Sequence, residues 1–198
     1  MTSTHLTMEP YLAQRARWPR DGRHVMAQYD AERVVVYQAY RPAIGHFAAA
    51  HGYFGGEFSL GRMSWVKPNF LWMMFRSGWG TKEGQEVVLA VWLRRAAFDA
   101  VLEAAVTHGE TDVRLQWDPD HGPSGAPVER RAVQLGLRGE TLRRYAKEWV
   151  LRIEDVTSMC HEQHARWKDG GDAALAVPRE EPYPVTPAAR VALGMDDT

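Results

Sequence analysis

The sequence predicts a single-domain α+β protein, with a mixed or mainly antiparallel sheet and short flanking helices. Its 198 residues are the length of one domain, and 45% of them are hydrophobic, which is enough for one core. Strand-like and helix-like segments alternate along the chain. The strand-like segments share β-branched and aromatic residues, and they are 33–40, 86–93, 112–117 and 149–153.

Three helices are predicted from the residues that start and stop them. Proline is favoured at the first position of a helix, and glycine is favoured just after its end. The three segments are 43–51 between Pro42 and Gly52, 69–76 between Pro68 and Gly78, and 96–107 before Gly109.

The remaining segments carry turn residues or give no decisive pattern. Residues 118–127 contain three prolines and two glycines, which predicts a loop. Residues 128–135 fit a helix or a strand equally well. We therefore divide the chain into an N-terminal arm (1–22), one α+β domain (23–168) and a C-terminal loop or tail (169–198). The glycines and prolines of that tail indicate a segment that lies on the domain and not in its core.

Composition and charge exclude several classes of protein. The 24 Lys and Arg residues nearly balance the 25 Asp and Glu residues, so overall charge does not hold this protein to nucleic acid. Eight tryptophans argue against a disordered chain, and the lone Cys160 excludes a disulfide scaffold. No apolar stretch approaches the ~18 residues of a membrane span. Because no secretory signal is visible, we expect a cytoplasmic protein.

Residues 61–80 form an aromatic–cationic segment that holds three of the eight tryptophans. The simplest interpretation is a core helix that is apolar nearly all round. A core helix does not explain the polar residues at the edges of the segment, because an unpaired cation is costly to bury. Those residues are Arg62, Ser64, Lys67, Arg76 and Ser77. Cations that alternate with aromatic rings suit phosphate and a base, so the segment predicts a nucleotide-like ligand.

Two other segments are rich in arginine. Residues 15–23 place four arginines around Trp18, which fits a basic arm that touches phosphates or a solvated lead-in to the first strand. Residues 130–144 fit a solvated helix face or a contact to phosphate or nucleic acid. The arginines of this second segment are the candidate contacts to a nucleic-acid acceptor, and they are Arg130, Arg131, Arg138, Arg143 and Arg144.

The sequence contains one group of potential metal ligands and none of the common nucleotide-binding motifs. Cys160, His161 and His164 are close enough in sequence to bind zinc, but no second pair with matching spacing accompanies them. We therefore expect no metal site. The P-loop, the Gly-x-Ser-x-Gly elbow and the Gly-x-Gly-x-x-Gly fingerprint are all missing from the sequence. A P-loop protein, a serine hydrolase or a Rossmann enzyme is accordingly poorly supported.

Five stretches of the chain together resemble a known family. The longest, 63–79, contains Ser-Trp-Val-Lys-Pro-Asn-Phe-Leu-Trp, and the others are 35–40, 84–90, 133–139 and 148–155. They resemble the uncharacterised domain of unknown function family 4291, over roughly residues 15 to 170. The resemblance implies membership of the family and supplies no activity.

A fainter resemblance implies chemistry. The strand that contains Gln38 is followed by a helix and Gly52, Ser64 stands further along, and Glu148 precedes an aromatic–aliphatic strand. This order is similar to the ADP-ribosyltransferase superfamily, in which an early strand presents His or Arg to NAD. A Ser or Tyr strand follows there, and a late strand begins with a catalytic Glu. The present sequence departs from that pattern at Gln38, which stands where His is common.

The second resemblance implies an ADP-ribosyltransferase-like fold, NAD as the substrate and a role for each candidate residue. Glu148 would stabilise the oxocarbenium-like ribose that forms when nicotinamide leaves, and Gln38 would hold the other ribose. The residues implied to bind the rest of NAD are Tyr40, Arg41, Arg62, Ser64, Trp65, Lys67, Trp72 and Arg76.

Three classes of function follow from these observations. The leading hypothesis is a nucleotide-using transferase that cleaves NAD and passes ADP-ribose to an acceptor, for which a nucleic acid is the candidate. The second is a non-catalytic module that binds a nucleotide or RNA. The third is a structural or interaction domain, in which the aromatic–cationic segment is only core.

Overall fold

The computed structural model describes residues 4–195, so the outermost three residues of the predicted arm and of the predicted tail lie outside the described range. The strands all pair antiparallel, and they are β1 (Met8–Pro10), β2 (Met26–Ala27), β3 (Arg33–Tyr40), β4 (Ser64–Val66), β5 (Val87–Arg94), β6 (Val113–His121), β7 (Pro127–Leu137), β8 (Val150–Asp155), β9 (Ala176–Pro178) and β10 (Glu181–Pro182). The helices are α1 (Tyr11–Arg17), α2 (Pro42–His51), α3 (Phe70–Ser77), α4 (Arg95–Glu103), α5 (Gly139–Arg144), α6 (Thr157–Gly170) and α7 (Pro187–Ala192), with a π-helical turn at Tyr145–Trp149 and a 3-10 turn at Gly171–Ala173. The predicted α+β class with a mainly antiparallel sheet is confirmed.

The first three-stranded sheet has the order β3-β5-β8 and carries the main core. Strand β3 pairs with β5 along its full length, from Arg33 opposite Arg94 to Tyr40 opposite Val87. Every residue of β5 except the last is buried, because this strand lies in the middle of the sheet. Burial on both faces explains why this segment is an unbroken apolar run in the sequence.

The second three-stranded sheet has the order β4-β7-β6 and meets the first sheet just beyond β4. The amide of Tyr37 on β3 donates to the carbonyl of Lys67 at 2.7 Å, and the amide of Lys67 donates back at 3.2 Å. This bridge holds the backbone of Lys67 against β3, one position before Gln38.

Helix α2 begins and ends at the predicted residues, whereas α3 ends at its predicted glycine but begins after a cap at Asn69 and not at Pro68. Helix α2 starts at Pro42 and ends before Gly52, which adopts a φ of 75°. The side chain of Asn69 accepts a hydrogen bond from the amide of Trp72 at 2.8 Å and so caps the start of α3. Gly78, with a φ of 58°, ends that helix. The two predicted helices are confirmed.

A buried polar network also anchors the start of α3. The carboxyl group of Glu180 accepts a hydrogen bond from the amide of Phe70 at 2.6 Å. Asn69 donates to the carboxylate of Asp120 at 3.2 Å, and Arg130 pairs with the same carboxylate at 2.6 Å. Burial raises the pKa of Glu180 well above its usual range, although the hydrogen bond from Phe70 opposes this.

Two predictions for the second sheet need correction or completion. Strand β6 runs through 118–121, which were predicted as a loop, and only 122–126 form the turn. Pro119 is tolerated because β6 is an edge strand, and the pairing register shifts between Pro119 and His121. Residues 128–135, for which helix and strand were both open, belong to β7.

The helices of the described range are short. Helix α4 ends at Glu103 instead of residue 107, because the amide of Val106 leaves the helix and donates to the carbonyl of Val113 at 3.1 Å. Helix α6 has 14 residues. None of the helices in residues 4–195 is long and apolar enough to cross a membrane.

The N-terminal and C-terminal segments pack together and into the core. Strand β1 pairs with β9, and β2 pairs with β10. Trp18 in the first segment is buried, as are Leu175, Tyr183 and Leu193 in the second. Residues 169–195 therefore differ from the predicted loop outside the core, because pairing between distant short strands leaves no local signature in the sequence.

Candidate functional site

A cavity of about 980 Å³ opens where the two three-stranded sheets meet. Its walls come from β3, β4, β6 and β7, from α3, from the start of α2 and from the loop that follows α2. This volume is at the upper end of the range of about 300–1,000 Å³ that is typical of small-molecule sites.

The cavity brings together all of the predicted site residues except Glu148. They are Gln38, Tyr40, Arg41, Arg62, Ser64, Trp65, Lys67, Trp72 and Arg76. Three parts of the chain supply them: the end of β3 with the residue that follows it, β4 with its flanking residues, and α3. The hydrogen-bonded bridge between Tyr37 and Lys67 is the contact that brings the first two parts side by side.

A chain of hydrogen bonds fixes the polar side chains at the end of β3. The hydroxyl of Tyr145, in the π-helical turn, donates to Oε1 of Gln38 at 2.6 Å. Nε2 of Gln38 lies 2.8 Å from the hydroxyl of Tyr40 and 3.1 Å from the hydroxyl of Ser64, and these two hydroxyls contact each other. Gln38 is only 2% exposed. It therefore orients Tyr40 and Ser64 and does not present its own amide to the cavity.

Among these hydrogen-bonded side chains, one hydroxyl proton is left to donate to a ligand. Tyr145 uses its proton on Gln38, and Gln38 uses its amide hydrogens on neighbouring oxygens. Only one of the two protons of Tyr40 and Ser64 lies between their oxygens, so the other is free to donate into the cavity. Burial raises the pKa of Tyr40 to about 12, while hydrogen bonds to Ser64 and Gln38 oppose the rise. The Tyr40 hydroxyl thus stays protonated at neutral pH.

Lys67 is a buried amine without a carboxylate partner. It is 6% exposed, its Nζ donates to the carbonyl of Trp65 at 3.2 Å, and this nitrogen lies 5.2 Å from the ring centroid of Trp72. Within the described chain Lys67 makes no ion pair. Burial and then the charge of Arg76 lower the pKa of Lys67 to about 7, against the raising effect of Asp118. The amine is therefore divided between its charged and neutral forms near neutral pH.

Two further cations of the cavity have no acidic partner. The side chains of Arg62 and Arg76 make no hydrogen bond or ion pair with any other residue that the structure describes. Arg41 differs, because it pairs with Glu57 at the mouth of the cavity. Together with Lys67, the cavity thus holds three cations that no carboxylate contacts.

Asp118 is a cavity residue that the sequence analysis missed. Its carboxylate accepts hydrogen bonds from Nε2 of Gln116 at 2.9 Å and from Nε2 of Gln134 at 2.7 Å, and all three residues line the cavity. Pro119, the next residue, led to the prediction of a loop here. If the predicted strand 112–117 had been continued past residue 117, Gln116 and Asp118 would have been predicted on the same face of the sheet, because they are two residues apart. Glu57 was missed as well.

Trp65 and Trp72 form the aromatic wall. Trp72 is 6% exposed, and its indole Nε1 is buried without a hydrogen-bond partner in residues 4–195. Gly136 of β7 lies against Met63 and Trp65: an added Cβ would lie 2.5 Å from Sδ of Met63 and 3.0 Å from the Trp65 ring, so glycine lets both side chains pack on this strand. Phe70, Leu71, Met73 and Met74 of the aromatic–cationic segment are buried, as expected for a core helix, whereas Phe75 is 40% exposed.

The structure does not bring Glu148 to the cavity. This residue lies in the π-helical turn, where its side chain is 61% exposed and pairs with Arg144 at 3.1 Å. The strand that it was expected to begin starts at Val150. Tyr145 is the residue of the same turn that reaches the site, through its hydrogen bond to Gln38.

The arginines of 130–144 do not form one surface. Arg130 lies within β7 and Arg138 directly follows its end, about 26 Å away along an extended strand. Most of the set is already paired: Arg130 with Asp120, Arg138 with the Thr111 carbonyl, Arg143 with Glu140 and Arg144 with Glu148. Arg131 is exposed and has no side-chain partner in the described chain.

Cys160, His161 and His164 lie on α6, outside the cavity lining. The Cys160 thiol is buried, and burial raises its pKa. The ring of His164 stacks on Trp79, with 4.8 Å between the centroids. Across residues 4–195, no three or more potential metal-binding side chains come together.

The fold and the cavity define an α+β protein with an aromatic, cationic site between two antiparallel sheets. The chain belongs to the family described as Domain of unknown function (DUF4291), which it matches over residues 24–183. The family resemblance seen in the sequence is thereby confirmed. In a comparison with curated proteins, none matches. The resemblance to ADP-ribosyltransferases stays a prediction.

Proposed function

We propose that this protein binds a nucleotide in the cavity between its two sheets. The observation that carries the proposal is the group of three cations, Arg62, Lys67 and Arg76, that no carboxylate of residues 4–195 contacts. Lys67 is buried, and a buried cation without a counter-charge is costly, whereas Arg62 and Arg76 are exposed and can reach a ligand. The phosphates of a nucleotide supply that charge through strong, charge-assisted hydrogen bonds.

The aromatic wall suits the base of such a ligand. Trp65 and Trp72 lie beside the cations, and stacking of a base on an aromatic ring is worth about 1–3 kcal/mol. The unpartnered indole N–H of Trp72 and the free hydroxyl proton of the Ser64–Tyr40 pair provide donors for base or ribose oxygens. A cavity of about 980 Å³ has room for a dinucleotide.

Within this class we propose NAD as the nucleotide and transfer of ADP-ribose as the reaction. The support is the resemblance to ADP-ribosyltransferases together with one contact, because two of its positions, Gln38 and Ser64, lie 3.1 Å apart. We assign the catalytic carboxylate to Asp118 instead of Glu148, since Asp118 lines the cavity. Gln38 then acts as a positioning residue for Ser64 and Tyr40.

The proposed reaction breaks the bond between nicotinamide and C1′ of its ribose. The bonding electrons leave with nicotinamide, which becomes neutral, and the ribose carries the positive charge of an oxocarbenium-like centre. The carboxylate of Asp118 stabilises that charge. A nucleophilic atom of the acceptor then bonds to C1′, and the proton of that atom passes to Asp118.

A thermal-shift screen with NAD, ATP, GTP and a short RNA tests the binding step. A ligand present at ~100 times its dissociation constant adds ~2.7 kcal/mol of stability. We expect NAD to stabilise the protein, and we expect Arg62→Ala and Arg76→Ala to weaken that effect while Arg131→Ala does not. If no nucleotide stabilises the wild type, the proposal is wrong.

Release of nicotinamide from NAD tests the reaction. We expect Asp118→Asn to abolish release while NAD still binds, because the amide keeps the shape of the carboxylate and loses its charge. Glu148→Gln is the matched control and should keep full activity. Binding of NAD without release by the wild type would instead identify a non-catalytic nucleotide-binding module.

We also propose a nucleic-acid acceptor and a cytoplasmic location. Arg131 supports the first, because it is an exposed, unpaired arginine on β7, a strand that also lines the cavity. Arg131→Ala is expected to lower transfer to RNA without changing nicotinamide release measured in the absence of RNA, and unchanged transfer would remove this support. The single buried thiol, Cys160, is what a reducing compartment permits.

A further inference from the structure

The four lysines of the chain differ in their surroundings. Lys82, Lys147 and Lys168 are exposed, whereas Lys67 is 6% exposed and lines the cavity. The Nζ of Lys67 makes one hydrogen bond, to the carbonyl of Trp65. When the amine is charged, its other two hydrogens have no acceptor in the described chain. The neutral amine needs no counter-charge, so this environment favours it.

Burial and one neighbouring charge favour the neutral form of Lys67. Arg76 on α3 opposes a second positive charge, whereas the Trp72 ring, 5.2 Å from Nζ, favours the charged amine. Asp118 on β6 also favours the charged form, but it makes its hydrogen bonds to two amides and forms no ion pair with Lys67. A lysine that is desolvated beside another cation is activated as a nucleophile.

We propose that Lys67 forms a reversible imine with the aldehyde of a phosphorylated sugar bound in the cavity. The inference rests on the proposed function, because transfer of ADP-ribose to water would leave free ADP-ribose in the site. That product carries a free anomeric carbon, which opens to an aldehyde. Its phosphates would meet Arg62 and Arg76 while the aldehyde meets the amine of Lys67.

The step releases one water, and nothing is oxidised or reduced. The lone pair of Nζ bonds to the aldehyde carbon, the π electrons of the carbonyl move to oxygen, and a proton passes from nitrogen to that oxygen. The new hydroxyl then leaves as water with a proton from the Ser64–Tyr40 pair. The nitrogen lone pair forms the C=N bond, and the remaining proton on nitrogen restores the hydroxyl pair.

The predicted selectivity for Lys67 comes from its protonation state. With its pKa near 7, a large part of this amine is neutral at physiological pH. An ordinary exposed lysine has a pKa of about 10.4, so only about a thousandth of it is neutral there. Labelling at neutral pH is therefore expected to favour Lys67 over the three surface lysines.

Reductive trapping with borohydride, followed by mass mapping of the peptides, tests the inference. ADP-ribose is the probe, and NAD is its matched control because NAD has no free anomeric carbon. Both ligands are also added to Asp118→Asn, which is expected to bind NAD without cleaving it. In this variant we expect a stable adduct on Lys67 with ADP-ribose and none with NAD. An adduct confined to Lys82, Lys147 or Lys168, or no adduct at all, would overturn the imine.

Two variants separate this inference from the proposed function. Lys67→Arg cannot form an imine, so it should lose the adduct, and the stabilisation by ADP-ribose is measured on the wild type. Lys147→Arg should keep both the adduct and the stabilisation by ADP-ribose. In the wild type, the yield of the adduct should fall about tenfold per unit of pH below 7. Stabilisation of the wild type by ADP-ribose without any adduct refutes the imine alone. If neither NAD nor ADP-ribose stabilises the wild type, the nucleotide proposal fails too.

Discussion

Replacement of Lys67 by methionine tests whether the cavity holds a buried cation at the expense of stability. Methionine has a similar length and no charge. The drop in the pKa of Lys67 from its ordinary value of 10.5 to about 7 corresponds to about 5 kcal/mol against the charged form. At pH 7 the unfolded chain is fully protonated here, whereas the folded protein is about half protonated. We therefore expect Lys67→Met to raise the free energy of unfolding by on the order of 4 kcal/mol at pH 7.

The same values fix the pH dependence of the wild type. Between pH 7 and 10.5 the unfolded chain binds more protons at Lys67 than the folded protein does. The free energy of unfolding of the wild type should therefore rise with pH in this window, and the contribution of Lys67 should be flat below it. The methionine variant lacks this contribution at every pH.

Urea unfolding near pH 6, pH 7 and pH 9 measures both effects. A gain of about 4 kcal/mol also corresponds to a rise in Tm of about 10 °C for a protein of this size. Lys147→Met is the matched control, because Lys147 is exposed and its replacement should change stability by no more than about 0.5 kcal/mol. A Lys67→Met protein that is no more stable than the wild type at pH 7 would refute the reasoning.

Three further substitutions test the packing around the site. Because burial raises the pKa of Glu180, the folded protein keeps this proton to higher pH, and its free energy of unfolding falls as pH rises above about 4.5. Glu180→Gln should remove this pH dependence in urea unfolding. An unchanged pH dependence would contradict a protonated, buried Glu180. Arg130→Ala leaves the carboxylate of Asp120 buried without its ion-pair partner, so it should lower the free energy of unfolding by about 3–5 kcal/mol in chemical denaturation. A loss typical of a surface substitution would show that the ion pair is not buried. Gly45→Ala places a Cβ 2.5 Å from both Cβ and Cγ1 of Val87 and should cost about 1–3 kcal/mol. Val87→Gly removes both atoms, so a double-mutant cycle should show favourable coupling between the two substitutions, and purely additive costs would count against a direct clash.

Local signals in the sequence predicted the elements that begin and end at special residues. Helix α2 between Pro42 and Gly52, and the end of α3 at Gly78, follow from backbone preferences that act within a few residues, whereas the cap at Asn69 was not predicted. The same local reasoning failed at Pro119, because a proline on an edge strand breaks no ladder hydrogen bond. Whether a strand is at an edge depends on partners far away in the sequence.

In the candidate site too, local signals predicted some residues, and residues that depend on distant strand pairing were missed. Residues such as Lys67 and Arg76 were recognisable because cations are unusual inside an apolar segment. Asp118 was missed because it reaches the cavity only through the pairing of β6 with β7, which no local pattern reveals. Glu148 was expected in the site because it stands before a strand, but the π-helical turn directs Tyr145 to Gln38 and leaves Glu148 paired with Arg144.

Isothermal titration of NAD into the wild type and into the double variant Arg62→Ala/Arg76→Ala tests the central claim most directly. Hydrogen bonds to charged groups contribute about 1.5–3 kcal/mol each, so the double variant should bind at least about a hundredfold more weakly. Arg131→Ala, outside the cavity lining, should bind as the wild type does. Equal affinity in the wild type and the double variant would contradict the account.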